Sequence, residues 1–529
     1  MRLDPLILHP AALGRALARQ AAAEWRGTPP HRAALSRPRP SGLAAAPTDF
    51  RPADPLAGAA ILGGVFDLAG KKLVVGPRGD PWDRPSPSRR FAVALHRFDW
   101  APGLAAAGGE GVREAARLME GWLRVFDEWS PFAWDPEVLE RRVMRWATLL
   151  PALSRASPER AGDWRTSLAM QARALLSDAA GDRAAERITA SAVALAALGF
   201  EGRHGGLARA LARLERAMAR AVRPDGGHAS RSPEAGLELL LDLRTLNDAL
   251  RQRGMALPPA LADAAARLAA ATRMFVAPDG RLAAFAGGAT VGAERLQAGL
   301  LPWASGIADD LPETGYARLE SGRVTVLADL GVGAQPGGLE LWADGAPLVV
   351  GCGWSPEAVA PAALATVVGA STASIGGIEP RVRSVDARRR DERQGAFAEV
   401  AHEGWRRSHG VKSERRLFLD KARDDLRGED AALPAGGPRE PVELAVRFHL
   451  PREVEASVAR DGRSVLLRTA NGRGWRLHSD AADHRVEPSA RVLDARPHRT
   501  SQVVLRATVR PSLGARIRWK LSPAAETAA

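Results

Sequence analysis

The hydrophobic pattern of this chain changes period near residue 300, which restricts it to a fold built from two kinds of layer. Between about 111 and 276, apolar residues recur at helical spacing. Val112 to Phe126 sets Leu118, Trp122, Val125 and Phe126 on one stripe, and Glu137 to Leu150 does the same with Leu139, Val143, Trp146 and Leu150. The same period predicts helices over 165–178, 183–198, 206–222, 234–253 and 258–276, with Asp135-Pro136 as a cap followed by a first-turn proline. Long helices with short connections make an all-α array, either paired as a toroid or stacked as a solenoid, and the pattern does not separate the two.

Beyond 300 the runs have strand length: Val324 to Leu330, Gly338 to Leu341, Pro347 to Val350, Glu414 to Leu419, Glu443 to Leu450, Val465 to Thr469, Gly474 to Leu477 and Gln502 to Val509. Asp344-Gly345, Asp461-Gly462 and Asn471-Gly472 are turn signals between them. A many-stranded antiparallel β-sandwich is expected. Ahead of the helices, residues 27–60 are rich in Pro, Arg, Ser and Ala and read as an extended arm. Gly63 to Leu68, Lys72 to Val75 and Phe91 to Phe98 read as short strands. The expected division is therefore 1–100 (arm and short strands), 101–300 (helical) and 301–529 (sandwich).

The chain has 529 residues, enough for at least two domains, and a net charge of +13. It holds only five lysines; arginine carries the rest of the positive charge. Arginine forks onto carboxylate, sulfate or phosphate, so a basic cleft that steers an anionic polymer is one source of this bias. A general preference for arginine over lysine is the other. Few aromatics interleave with the basic residues, so no nucleic-acid partner is expected. Cys352 is the single cysteine, which excludes an internal disulfide and a thiolate metal cluster. The N-terminus has no apolar run of signal-peptide length, and no segment has the length of a membrane span. A cytoplasmic protein is expected, with peripheral membrane attachment through the basic N-terminal region left open. The oligomeric state is also left open.

Candidate chemistry concentrates in Arg223-Pro-Asp-Gly-Gly-His-Ala-Ser-Arg-Ser-Pro-Glu-Ala-Gly236, between two predicted helices. It puts His228, Arg231 and Glu234 within one short loop, a cluster able to bind a polyanion or move a proton. Ser232 fits an N-cap, Pro233 the first helical position and Glu234 the first turn, which explains those three without any activity. Trp405 offers a flat face for a sugar ring between His402 and His409, with Arg406 and Arg407 supplying charge. The alternative is a loop covering a sheet edge. Tyr316, the only tyrosine, sits where the strands begin, either buried there or reaching a cleft. His478, Asp480, Asp483 and His484 leave room for a structural divalent metal, though the spacing is that of an ordinary polar loop.

Taken together, Phe98-Asp-Trp100, Pro224 to Glu234, Leu311-Pro-Glu-Thr-Gly-Tyr-Ala-Arg-Leu319, His402-Glu-Gly-Trp-Arg-Arg407, Glu414 to Leu419 and Asp425 to Asp430 give a chain that resembles a heparinase II/III family protein of the alphaproteobacterial kind, over roughly 90–510. The resemblance implies an N-terminal α/α-toroid, a C-terminal β-sandwich and polysaccharide lyase activity on uronic-acid polymers. Such lyases work by β-elimination: the uronate carboxylate is neutralised, a base removes the C5 proton and an acid protonates the departing O4. Carried onto this chain, His228 would be base or acid and Arg231 the neutraliser. Tyr316, His402 and Arg406 would contribute from the strand-rich side, with Glu234 and Trp405 contacting the glycan. The tyrosine-histidine pair the family places after Ser232-Pro233 falls on Ala235 and Gly236. The asparagine-histidine is absent from Gly181 to Arg187, and the sandwich histidine from Gly331 to Leu339. The alternative expectation is a non-catalytic glycan-binding or envelope-assembly protein on the same scaffold.

Overall fold

The structure, a computed structural model, describes residues 10–201, 206–303, 306–308, 310–355, 359–436, 439–493 and 496–524. A mostly helical N-terminal region precedes a C-terminal region of antiparallel sheets. The chain divides into two compact units, Met1–Met218 with Leu241–Ala262, and Ala219–Leu240 with Asp263–Ala529.

In the first unit the helical period is realised as Gly109–Phe126, Pro136–Ala156, Ala161–Ser177 and Ala184–Ala197. Asp135 caps its helix by accepting the Glu137 N–H at 2.9 Å, with Pro136 in the first turn. The apolar stripes meet in an aromatic core, where Trp122 and Trp146 lie 5.3 Å apart edge to face and Phe98 lies 5.4 Å from Trp146, but Val125, expected on the stripe, is 60% exposed. Arg142 is buried among them. Its guanidinium lies 4.3 Å from the Trp122 ring centre, Nε donates to Gln171 and Nη1 to the His96 carbonyl. Burial pulls its pKa down to about 9.

Two expectations for this unit are corrected. Phe91 to Phe98 is not a strand; Arg89–His96 is a helix, started by Ser88, whose hydroxyl accepts the Phe91 N–H. Phe91 and Leu95, one turn apart, are both buried, and so short an apolar run satisfies either period. Residues 27–60 are not simply an extended arm. Pro29–Ser36 and Pro55–Leu62 are helices, each with a side-chain cap (Thr28, Asp54) and a first-turn proline. Between them Asp49 pairs with Arg145, and Arg51 reaches the buried Asp242 at 2.5 Å.

The second unit carries three antiparallel sheets. One is a meander of five strands, Asp310–Leu311, Tyr316–Glu320, Val324–Asp329, Leu339–Ala343 and Ala346–Val349. The second, in spatial order, is Ala373–Ile375, Val442–His449, Arg496–Val509 and Asp483–Leu493. The third has eight strands: Asp386–Asp391, Gly395–His402, Val411–Asp420, Asp425–Pro434, Ala515–Pro523, Gly474–Ser479, Ser464–Arg468 and Glu455–Val458. Leu319, Val326, Leu417, Trp475, Leu444 and Val503, drawn from all three, share one hydrophobic core. Asp344 and Gly345 both take positive φ, the geometry a two-residue hairpin needs. Among the described residues no helix is long and apolar enough to cross a membrane.

Three histidines are buried as neutral rings. Burial, with Arg142 adding to it, lowers His96 to about 3, and burial lowers His402 and His449 to about 4. Below about pH 6.5 the unfolded chain protonates these rings while the folded chain does not. Their contribution is therefore complete above that pH and is lost as pH falls toward 4, at up to about 1.4 kcal/mol per pH unit for each ring. The thermal midpoint is expected to fall steadily between about pH 7 and pH 5; a flat profile would mean the rings are charged in the fold.

Candidate functional site

Helix Leu207–Ala221 ends in a tight hairpin. The Gly226 N–H donates to the Arg223 carbonyl at 2.9 Å, Arg223 N–H to Gly227 at 2.8 Å and Ala229 N–H to Ala221 at 2.8 Å. Pro224 fixes the turn, and Gly226 takes φ +90°, which a side chain would resist. Asp225 accepts the Gly227 N–H, and then the Thr314 N–H at 2.6 Å and hydroxyl at 2.7 Å. Arg223 donates to the Glu313 carbonyl at 2.6 Å. Two motifs far apart in sequence, 223–234 and 311–319, are thus bolted together.

Arg231 completes the joint. It is 7% exposed and holds φ +67°, unusual for a residue with a side chain. Nε donates to the Thr314 carbonyl at 2.7 Å, Nη1 to Val332 at 2.9 Å and Nη2 to Gly315 at 3.3 Å, while Nη2 also pairs with Asp329. A Cβ on either Gly331 or Gly333 would overlap the guanidinium, so the Gly-Val-Gly turn admits it. Asp329 also accepts the Gly331 N–H at 2.9 Å. Burial works against the cation, but Tyr316 and Asp329 more than reverse it and hold the guanidinium charged.

Tyr316 is 2% exposed. Its hydroxyl donates to the Arg231 carbonyl at 3.0 Å, and its ring lies 4.7 Å from the guanidinium and edge-on to Phe275 and Phe285. Burial pushes the phenol well above its ordinary pKa, and Asp329 adds to this against the pull of Arg231.

His228 is also buried. Its Nδ1 accepts the Ser230 N–H at 3.2 Å and lies 2.7 Å from the Ser230 hydroxyl. The cavity beside it, lined by Arg231, Ser232, Leu268, Thr272 and Phe275, has room for about one water molecule. Ser232 caps helix Pro233–Gln252 through the Ala235 N–H, as its sequence foretells. Glu234, half-buried in the first turn, accepts the Ala289 N–H at 2.9 Å and so holds the 285–289 loop.

The remaining candidates form a separate group. His402 is buried at the end of its strand and accepts the Gly404 N–H. Trp405 is wholly buried, its indole N–H donating to Ile378 at 2.7 Å, so its face is not open for stacking. Arg406 is exposed and pairs with Glu403. A sandwich metal finds no ligand set: among the described residues no three His, Cys, Asp or Glu groups cluster. His478 contacts Ser464, and His484 contacts Ser479.

Sequence reasoning passed over the partners of Arg231: Thr314, Asp329 and the Gly331–Gly333 turn. One signal was readable. Val222-Arg-Pro-Asp-Gly226 recurs as Val276-Ala-Pro-Asp-Gly280 after the helix Pro259–Met274, and the second copy folds alike, with Gly280 N–H on Ala277, Ala277 N–H on Arg281 and Ala283 N–H on Phe275. Leu282 occupies the place of His228, each in an isolated bridge to the preceding valine. The hairpin is therefore a helix-ending device, and histidine is not needed to build it.

Residues 305–520 match the heparinase II/III-like C-terminal family. Similar solved structures are heparinase III (TM-score 0.70, 13% identity, 85% of this chain and 80% of that one) and a mutant of the heparan sulfate lyase HepC from Pedobacter heparinus (TM-score 0.59, 14% identity, 96% and 89%). The likeness is one of fold. The chain belongs to the heparinase II/III-like family. Within it, the chain is 43% identical over 563 aligned positions to FtsZ-localized protein C of Caulobacter vibrioides (strain NA1000 / CB15N), covering 98% of both chains.

Removing one member of a buried ion pair strands the other, at a typical cost of about 3–5 kcal/mol. Asp329→Ala is expected to lower the urea midpoint accordingly, and Arg231→Met with Asp329→Leu to recover much of the loss. A single-variant effect below about 1 kcal/mol would show the pair to be open to water in solution.

Proposed function

We propose that this chain is a non-catalytic member of its family, a cytoplasmic envelope-assembly protein of the alphaproteobacterial kind that works at the division site with FtsZ and retains contact with an anionic glycan. The observation that carries the reading is the closure of Arg231. A uronate carboxylate needs a cation whose donors face the substrate, and these donors are spent on Asp329 and three carbonyls. Tyr316, the only tyrosine, donates to a backbone carbonyl in the core. The family's tyrosine-histidine pair is replaced by Ala235 and Gly236. The near full-length likeness to a protein named for its localisation with FtsZ supplies the place of action.

On this reading the helical region is an α/α-toroid and the sheets a β-sandwich, kept as architecture while the elimination chemistry was lost. The likeness to heparinase III supports that geometry.

A fluorescent fusion is expected to form a mid-cell band that coincides with FtsZ and disperses when FtsZ is depleted. Purified protein incubated with heparan sulfate, alginate and polyglucuronate is expected to yield no ultraviolet-absorbing unsaturated product. Product that accumulates with wild-type protein and vanishes with His228→Ala would restore the lyase reading, and a fusion spread evenly through the cell would remove the division-site role.

A further inference from the structure

The eight-stranded sheet ends in an open edge. Strand Asp386–Asp391 pairs with Gly395–His402 on one side and, among the described residues, has no strand on the other. Five of its six residues are exposed, the exception being Arg389. That arginine turns inward, pairing with Asp310 and donating to the Arg318 carbonyl at 3.0 Å, which fastens the edge to its own unit. The edge is thus a held template rather than a frayed one. An open edge presents unpaired backbone N–H and C=O groups in a two-residue repeat.

The charge around it is net basic: residues 381–393 carry six arginines against Asp386, Asp391 and Glu392, with Arg388 3.6 Å from Asp386. Arg381, Arg383, Arg390 and Arg393 are exposed, and among the described residues none of them makes an ion pair. Arg388 and Arg390 project from the same face of the strand, two residues apart. Behind Arg390 lies Phe397, its cross-strand partner, 45% exposed and 4.4 Å from the Phe418 ring, while Glu399, opposite Arg388, is paired with Arg416 at 3.4 Å, so the strip beside the edge has an apolar part next to Arg390. An extended segment with carboxylates at alternate positions matches both the backbone repeat and the exposed guanidiniums.

We propose that the edge of strand Asp386–Asp391 captures an acidic, extended protein segment by strand addition. The inference goes beyond the function proposed above and does not depend on it. The backbone repeat and the two-residue arginine spacing favour a polypeptide over a sugar polymer.

The test uses the full chain and a fluorescent synthetic peptide alternating Glu and Val, followed by anisotropy. Arg388→Glu with Arg390→Glu is expected to weaken binding by at least about tenfold with the thermal midpoint unchanged. Arg381→Glu with Arg383→Glu serves as a second variant should the first lower the midpoint. N-methylation of alternate peptide amides is expected to weaken binding by a similar factor, about tenfold, because it removes the ladder hydrogen bonds. Equal binding of the methylated peptide would overturn strand addition. Binding indifferent to both charge reversals would overturn the site. A heparin oligosaccharide that binds these arginines more tightly than the peptide would overturn the assignment to a protein partner.

Discussion

The second unit depends on one buried cation. Arg231 joins the loop after helix Leu207–Ala221 to the first turns of the five-stranded sheet, and its five-donor fork is what permits the join. Taking two charges out of water costs several kcal/mol per ion, and the attraction between them offsets this only when geometry is good and the other donors are satisfied. Here they are met by three carbonyls, and Tyr316 closes the ring by donating to the Arg231 carbonyl. The glycines at 331 and 333 are the complementary half of the device: the guanidinium fits because no Cβ is there.

The same use of arginine recurs through the chain. Arg415 forks onto Asp430 and donates to the Gly337 and Ser371 carbonyls. Arg318 donates to Met274 and Val276, Arg273 to Leu300, Trp303 and Gly306, and Arg253 to Ala196 and Leu198. Lysine, a point charge with no planar fork, cannot hold two loops in fixed register this way. At these positions arginine has a structural role, and net charge by itself does not announce a polyanion groove.

The long helices were legible because one face of each is buried and the period survives in the sequence: Leu118, Trp122 and Val143, Trp146 are stripes that became core. Eight strands of the three sheets were legible as well, while others, among them Gly395–His402, Asp425–Pro434 and Ala515–Pro523, were not. Phe91–Phe98 was not, since a run that short fits either period and only the Ser88 cap decides it. At the candidate site, Ser232, Pro233 and Glu234 were legible as a helix start because capping is local chemistry. The role of Arg231 was not, because Asp329 and Thr314 lie far along the chain and nothing local names them. His228 and Arg231 looked like a reactive cluster for a reason that holds equally for a structural joint: both need polar groups at close quarters beside glycines that let the backbone approach.

A lyase and a scaffold can share this fold because its shape and its chemistry rest on different residues. The hairpin at Pro224, its copy at Pro278, the Asp225–Thr314 clasp and the Arg231–Asp329 pair define where the loops stand. None of them needs a tyrosine-histidine pair at 235 and 236, so Ala235 and Gly236 leave the frame standing. The small residue at 236 also suits the frame, since Leu268, Thr272 and His228 already crowd the space a larger side chain would enter. Restoring a family tyrosine-histidine pair at these two positions would meet that crowding at the second of them. The small residue at 236 and the tight packing of the loop are thus one structural fact.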